Sequence, residues 1–416
     1  MTSETKGLWR ARAQQLDRYR WELWRERHGV IGAALRVLRD AVVDLKHGIC
    51  ARLRAAPAPG SLSRRVLILH GSPKLLAQHR KDGLIKALQA KGHETIEAAI
   101  EPLNVAVSQR MLYHPPAKVP LRYYAHAAYA EWLARHDDPQ LVLSERNGSL
   151  VSPFLRLSLN AQSKHLAHLA HATTVEHSQR LSMTDYDYYL LFGQSSLEAL
   201  QRRRLRFGST QAVLTGSYLI DQRYGMPASC AELRLLVLGV GPDKEKRDGY
   251  QRTYALIRDW AAQHPQVPVT FKAHPRSRST FWQEAASALP NIQVALPEDS
   301  LAQALEHCSV VLNIMSNAAL EASLASRPII YVNASEEQDS LEQVRFFGEC
   351  VTHSQMLDER LTWLRQHYEQ ALQQTRAFAE YHLANGVHGQ DKTAEAIDRL
   401  IHGQNLPVVE LKGTVS

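Results

Sequence analysis

Lys272, His274 and Arg276 stand in the run Phe-Lys-Ala-His-Pro-Arg-Ser, residues 271–277. Basic side chains at alternate positions suit a phosphorylated ligand. A phosphate leaving group gains negative charge as its bond breaks, and a donor fixed at that charge lowers the barrier. Histidine supplies one hydrogen bond when neutral and a charge as well when protonated. Strand alternation puts Lys272 and His274 on one face, so Arg276 has to turn in from the following loop. Further on, Asn313-Ile314-Met315-Ser316-Asn317 leads into a helical run. Ser316, Asn317 and the amides behind them then lie at a helix N-terminus, where unpaired N–H groups attract anions. Groups able to take a proton stand at other strand ends: His70, Glu145, Glu176 and His177. Glu145 or Glu176 is the expected base, with His177 next.

Two other clusters carry less. His165, His168 and His171 recur every third residue, which scatters them around a strand or helix, so no metal site is expected there. The pair Asp185 and Asp187 resembles a cation-binding Asp-x-Asp. However, it runs straight into the apolar stretch 188–193. It therefore begins a buried strand, at the end away from chemistry, and reads as structural. No Gly-x-Gly-x-x-Gly is present, so no dinucleotide cofactor is expected.

The elements that position these residues follow a strand–helix rhythm. Apolar runs at 66–69, 95–100, 140–144, 166–170, 188–192 and 213–214 read as strands of a first Rossmann-like domain. The helix 83–92 is closed by Gly92, and Ser195 or Ser196 is expected to cap the helix after Gly193. A second set begins at Leu235, with strands ending at His274, near Ala295, at Asn313 and at Val332. Helices are expected over 355–384 and 391–402. The resulting division is a basic amphipathic helical extension (1–60), an N-terminal domain for the acceptor (61–217), a hinge (218–232), a C-terminal donor domain with closing helices (233–403) and a loose tail (404–416). In the extension, Trp9, Trp21 and Trp24 lie among arginines, ahead of a helical apolar pattern from Val30 to Ile49. Trp and Arg together suit a membrane interface; a helical pair packed on its own domain is the alternative.

Lys272-Ala273-His274-Pro275 resembles the Lys-x-His-Pro signature of bacterial sialyltransferases, capsule polysaccharide transferases and teichoic-acid polyol-phosphate transferases. The strand and helix around Ser316 follow in the same order, although Asn317 replaces the second hydroxyl residue of those families. The resemblance implies an α/β fold of GT-B type, two Rossmann-like domains facing a cleft. It implies that His274 meets the donor phosphate and that Glu321 meets a donor ribose or sugar. The expected function is a metal-independent glycosyltransferase that uses a nucleotide-sugar as substrate and a lipopolysaccharide-core, capsule or other lipid-linked glycan as acceptor. Alternatives are a CDP-polyol phosphotransferase, a non-catalytic GT-B-fold binding subunit and a nucleotide-sugar epimerase.

The composition agrees with such a protein. The chain has 416 residues, 44% of them hydrophobic, with a net charge of +7. That length carries two cores, and the charge suits an anionic substrate or membrane surface. Cys50, Cys230, Cys308 and Cys350 are scattered, which fits a reducing compartment and excludes a disulfide scaffold. Charges interrupt every apolar run, so neither a cleavable signal nor a membrane span is expected. The expected location is cytoplasmic, with peripheral contact with an anionic membrane. The expected partners are the nucleotide-sugar and a glycolipid or oligosaccharide; no nucleic acid is expected.

Overall fold

A computed structural model describes residues 3–60, 65–173, 179–229, 232–335 and 337–413. The chain falls into two compact units. Residues 1–219 and 390–416 form the first, and residues 220–389 the second.

The first unit is built on a seven-stranded sheet in the order β12-β6-β5-β4-β3-β1-β2. Its strands are β1 (Val66–His70), β2 (Thr95–Ala99), β3 (Leu141–Ser144), β4 (His165–Leu169), β5 (Tyr188–Leu191), β6 (Ser209–Leu214) and β12 (Val409–Lys412). All pairings are parallel except that of β12 with β6. Side chains alternate between two cores, as strand geometry requires. Val66, Ile68, Leu141 and Leu143 join a core with Leu84, Leu88, Ala394, Ile397 and Leu400. Leu67, Leu69, Val142 and Leu166 join another with Trp9, Leu16, Tyr123 and Phe154.

Two expectations change here. The closing helix, Gly389–Ile401, covers the first sheet rather than the second domain. The tail is not loose at 409–412, where β12 pairs along the edge of β6. Nothing local in Val409–Lys412 demands a strand; the open edge of β6 supplies its hydrogen bonds.

The N-terminal helix, Ser3–Arg54, is a hairpin. Gly29 breaks it with φ +69° and ψ −177°, a conformation open to glycine and hostile to other residues. Arg20 reaches Asp44 at 2.6 Å and Asp40 at 3.2 Å. On one continuous helix residues 20 and 44 would lie about 36 Å apart. The first arm is part of the core: Trp9 and Leu16 are fully buried, and Trp9 stacks on Phe154 at 5.9 Å between ring centres. The helical hairpin Ser3–Arg54 is thus a wall of the first unit as well as an extension. Among the described residues no helix is long and apolar enough to cross a membrane.

The second unit carries a five-stranded parallel sheet in the order β11-β10-β7-β8-β9. Its strands are β7 (Leu235–Leu238), β8 (Val269–Lys272), β9 (Ile292–Val294), β10 (Val310–Asn313) and β11 (Ile329–Tyr331). Val237, Phe271 and Leu312 pack with Tyr250, Tyr254, Trp260, Trp282 and Leu361. Phe271 and Trp282 stack at 4.9 Å, which pins the helix Thr280–Ala288 beneath β8.

Candidate functional site

In open parallel sheets, ligands bind at the carboxyl ends of strands, where the strand order reverses. The order places such points between β1 and β3 in the first unit, and between β7 and β10 in the second. Polar side chains collect at both.

His70 ends β1 and Glu145 follows β3. His70 is 1% exposed. Its Nε2 lies 2.7 Å from Glu97 Oε1, on β2. Its Nδ1 lies 3.1 Å from Lys81 Nζ. Lys81 also donates to Glu145 Oε2 at 2.6 Å, and the Gly71 amide donates to Glu145 Oε1 at 3.1 Å. A lysine ammonium can only donate, so His70 Nδ1 accepts and Nε2 carries the proton toward Glu97. The chain of contacts therefore runs Glu97–His70–Lys81–Glu145.

Burial works against the charge on Glu145. The Lys81 ammonium and the Gly71 amide outweigh it and hold its pKa below the ordinary carboxylate value. Burial also lowers the pKa of Lys81, more than Glu145 raises it. At 2.6 Å the ion pair decides the protonation of both. Buried Tyr218 lies in the same field: burial, then Glu145, raises its pKa. Glu145 is thus an ionised carboxylate fastened by Lys81, and it takes a proton readily only when Lys81 releases it. Glu176 and His177, the other expected bases, lie outside the described residues.

Asp185 and Asp187 are bound by one guanidinium. Arg156 reaches Asp185 Oδ1 at 2.8 Å and Asp187 Oδ1 at 2.9 Å, and the Leu166 amide donates to Asp187 Oδ2 at 2.8 Å. The pair fastens β4 to β5, and its oxygens do not converge on a cation site. Among the described residues no cluster of three or more His, Cys, Asp or Glu is placed to hold a metal. His168 is fully buried, stacked on Tyr186 at 4.4 Å, and burial keeps its pKa well below the usual value. Ser195 and Ser196 are buried within the helix Gln194–Arg202; Gly193 takes the capping position instead.

In the second unit β8 and β10 flank β7, so their ends lie about 10 Å apart. Gly239 follows β7. A Cβ there would come within 2.9 Å of the His274 amide nitrogen and the Lys272 carbonyl oxygen. Only glycine lets the two loops approach so closely. His274 is half-buried and Arg276 exposed. The Arg276 amide donates to His274 Nδ1 at 3.2 Å, and the Ser277 amide to the His274 carbonyl at 2.8 Å. Ser277 Oγ donates to Glu245, which is 7% exposed. Tyr254 OH, 3.4 Å away, is the second partner of that carboxylate. The His-Pro loop is therefore tied down to the loop after β7. Arg276 turns back toward it: its Nη2 would lie 3.5 Å from a Cβ on Gly241.

Lys272 is engaged within its own unit. Its ammonium donates to the Leu296 carbonyl at 3.0 Å and to the Asp299 carbonyl at 2.5 Å. Two of its three protons thus close the loop after β9.

Asn313 ends β10 with no exposure. Its Oδ1 accepts from the Ser316 amide at 3.1 Å, and its Nδ2 donates to Gln343 at 2.7 Å. Gln343 donates in turn to the Ile314 carbonyl at 3.0 Å. This buried amide pair shapes the turn that carries Ser316 and Asn317. Ser316 does not cap the helix: its carbonyl accepts the Ala319 amide at 3.2 Å, and the helix Ala319–Leu324 is only six residues long. A helix this short has little dipole, so local amides and side chains carry any anion contact. Glu321 lies near Tyr224, whose pKa is raised to about 12 by burial and then by the Glu321 charge.

Sequence reasoning missed Lys81, Glu97, Glu245, Asn313 and Gln343. Lys81 sits in the charged run Arg80-Lys81-Asp82, which reads like any solvated turn. The Asn313 side chain had a visible signal, a polar residue closing the apolar run 310–312.

No protein-family model matches the sequence. No curated protein matches it either. Solved structures do match in fold. A protein described as a UDP-N-acetylglucosamine 2-epimerase from Listeria monocytogenes aligns with a TM-score of 0.54 at 13% identity, covering 82% of this chain and 98% of its own. S. aureus MnaA, in a co-structure with UDP, aligns with a TM-score of 0.52 at 12% identity, over 82% and 97%. The UDP-GlcNAc 2-epimerase from Neisseria meningitidis, bound to UDP-GlcNAc, gives 0.51 at 11% identity, over 80% and 100%. The chain thus has the GT-B type of fold, two Rossmann-like α/β units, with a helical N-terminal segment. The expected fold class stands.

Proposed function

We propose that this chain is a nucleotide-sugar enzyme, and that it transfers the sugar to an acceptor hydroxyl on a lipid-linked or oligosaccharide glycan. The observation that carries the reading is the His-Pro loop: His274 at the carboxyl end of β8, fixed by Ser277 and Glu245 and crossed closely at Gly239. The donor's phosphates would meet His274, Arg276 and the turn at Ser316 and Asn317. Glu321 would take the ribose or sugar hydroxyls. Negative charge growing on the departing phosphate meets donors already in place, which cost no reorganisation at the moment of reaction. Lys272 supports this pocket through its loop. In the first unit, Glu145 is the candidate to take a proton, with Lys81 controlling when it does so.

A second reading is favoured by the fold likeness to proteins described as UDP-N-acetylglucosamine 2-epimerases, one of them with UDP-GlcNAc bound. On that reading the nucleotide and a proton of the adjacent ring carbon would leave one sugar together and both return, the proton to the opposite face, with no acceptor. One experiment separates the two. The protein is incubated with a panel of UDP-, CMP- and CDP-sugars, with and without glycan acceptors, and nucleotides and sugars are resolved chromatographically. Acceptor-dependent nucleotide release is expected. A new sugar epimer formed without acceptor would replace the transferase reading. His274→Ala should lower turnover roughly 10²-fold with an unchanged melting curve; full activity would remove His274 from the mechanism.

A further inference from the structure

The second arm of the helical hairpin has two unlike faces. Ala33 and Ala51 on its inner face are fully buried. A Cβ on Gly48 would lie 1.9 Å from the Leu121 carbonyl oxygen, so this face presses against the start of the helix Leu121–Arg135. On the outer face Ile31, Leu35, Leu38, Val42, Leu45 and Ile49 follow one another at alternating steps of four and three residues. That spacing stacks them along one line of a helix, over about 27 Å. They are between 41% and 79% exposed. A continuous apolar line on an otherwise charged surface marks an interaction site.

Charge selects the occupant. The two acidic residues of this arm are already engaged: Asp40 and Asp44 hold Arg20, and Asp40 also pairs with the exposed Arg39 at 2.8 Å. At the hairpin tip Glu26 holds Arg206 at 2.6 Å. By helical angle, Arg39 and Lys46 border the apolar line on one side and Arg52 on the other; all three are exposed. A second copy packed along this line would set Arg39 and Lys46 near their own counterparts, with Asp40 already shared between Arg20 and Arg39 and no further acidic residue near the line, and like charges across a helical seam oppose pairing. An anionic bilayer surface offers acyl chains to the line and phosphates to its borders.

We propose that the outer face of residues 31–53 docks the protein on an anionic lipid bilayer, with the line from Ile31 to Ile49 at the acyl boundary and Arg39, Lys46 and Arg52 at the headgroup phosphates. This surface is distinct from the strand-end residues of either unit, and its test reads no turnover. It therefore stands or falls apart from the catalytic reading.

The test is flotation of the full chain with phosphatidylcholine vesicles, with and without phosphatidylglycerol. Binding is expected to require phosphatidylglycerol and to weaken with salt. Arg39→Ala with Lys46→Ala should weaken it roughly twentyfold or more, at about fivefold per cation. Leu38→Glu with Val42→Glu should abolish it, while thermal melting stays as in the parent because both positions are exposed. Absence of flotation by the parent protein would overturn the proposal. Flotation unaffected by both pairs of substitutions would do the same. A parent dimer that the Leu38→Glu, Val42→Glu variant converts to monomer, with no vesicle binding by the parent, would assign the face to a second copy instead.

Discussion

Lys81→Met tests the buried pair at the β1/β3 strand ends. At 2.6 Å, and with an effective dielectric of about 20, the attraction between Lys81 and Glu145 is about 6 kcal/mol. Taking both charges out of water costs several kcal/mol each, so the intact pair adds little net stability. Removing one partner is different. Glu145, whose side chain is 9% exposed, would keep only the Gly71 amide and His70, and the loss should be about 3–5 kcal/mol near neutral pH. The pH dependence follows from the sign of the shift. In the parent the folded pKa of Glu145 is lowered. Its contribution is therefore present above the ordinary carboxylate value and is lost as pH falls through the folded value. Without Lys81, burial becomes the leading influence and raises that pKa. The variant then loses stability as pH climbs through the carboxylate range. The gap between parent and variant should be widest near pH 7.5 and narrow toward about pH 4. Two units need not unfold together, so native-state hydrogen exchange at the β1 and β3 amides is the suitable readout. Lys81→Met with Glu145→Gln should recover most of the loss at neutral pH, because no stranded charge remains. A gap that is constant with pH, or a double variant as unstable as the single one, would refute the pairing argument.

Other consequences can be measured directly. Glu245→Gln should loosen the His-Pro loop and weaken nucleotide binding about tenfold, because a hydrogen bond to a charged group is worth roughly 1.5–3 kcal/mol; calorimetric titration with UDP or CDP checks it. Gly239→Ala should cost about 1–3 kcal/mol through overpacking against the His274 amide, read in the melting temperature. Asn313→Leu strands the Ser316 amide and Gln343, at about 1–3 kcal/mol for each polar group left unpaired; hydrogen exchange after β10 reports it. Truncation before Val409 leaves the edge of β6 open, and light scattering on warming should show earlier aggregation than in the full chain.

Much of the architecture was legible in the sequence because a parallel sheet buries its strands on both faces, and continuous apolar runs betray it. The strand ends at Ser144 and Asn313 followed from where those runs stop, whereas β8 ends at Lys272, two residues before the expected His274. His274 was visible because a His-Pro pair closes a strand with basic residues on either side. What could not be read were partners distant in the chain. Lys81 and Glu145 are 64 residues apart, Ser277 and Glu245 are 32 apart, and no local pattern links them. Lys272 looked like a ligand because a strand-end lysine carries a charge; only the loop after β9 reveals that carbonyls occupy it. The closing helix misled for a related reason. Its amphipathic pattern declares a buried face but not which sheet covers it.

By itself the sequence determined the two strand–helix series and the helical apolar pattern from Val30 to Ile49, since each rests on spacing within one element. The tertiary structure alone decided that the chain turns back at Gly29, that 389–401 and 409–412 return to the first sheet, and that Lys81 holds Glu145 between His70 and the Gly71 amide. Those outcomes depend on which faces and edges remain open after the neighbouring elements have packed, a property of the assembled sheet rather than of any segment within it.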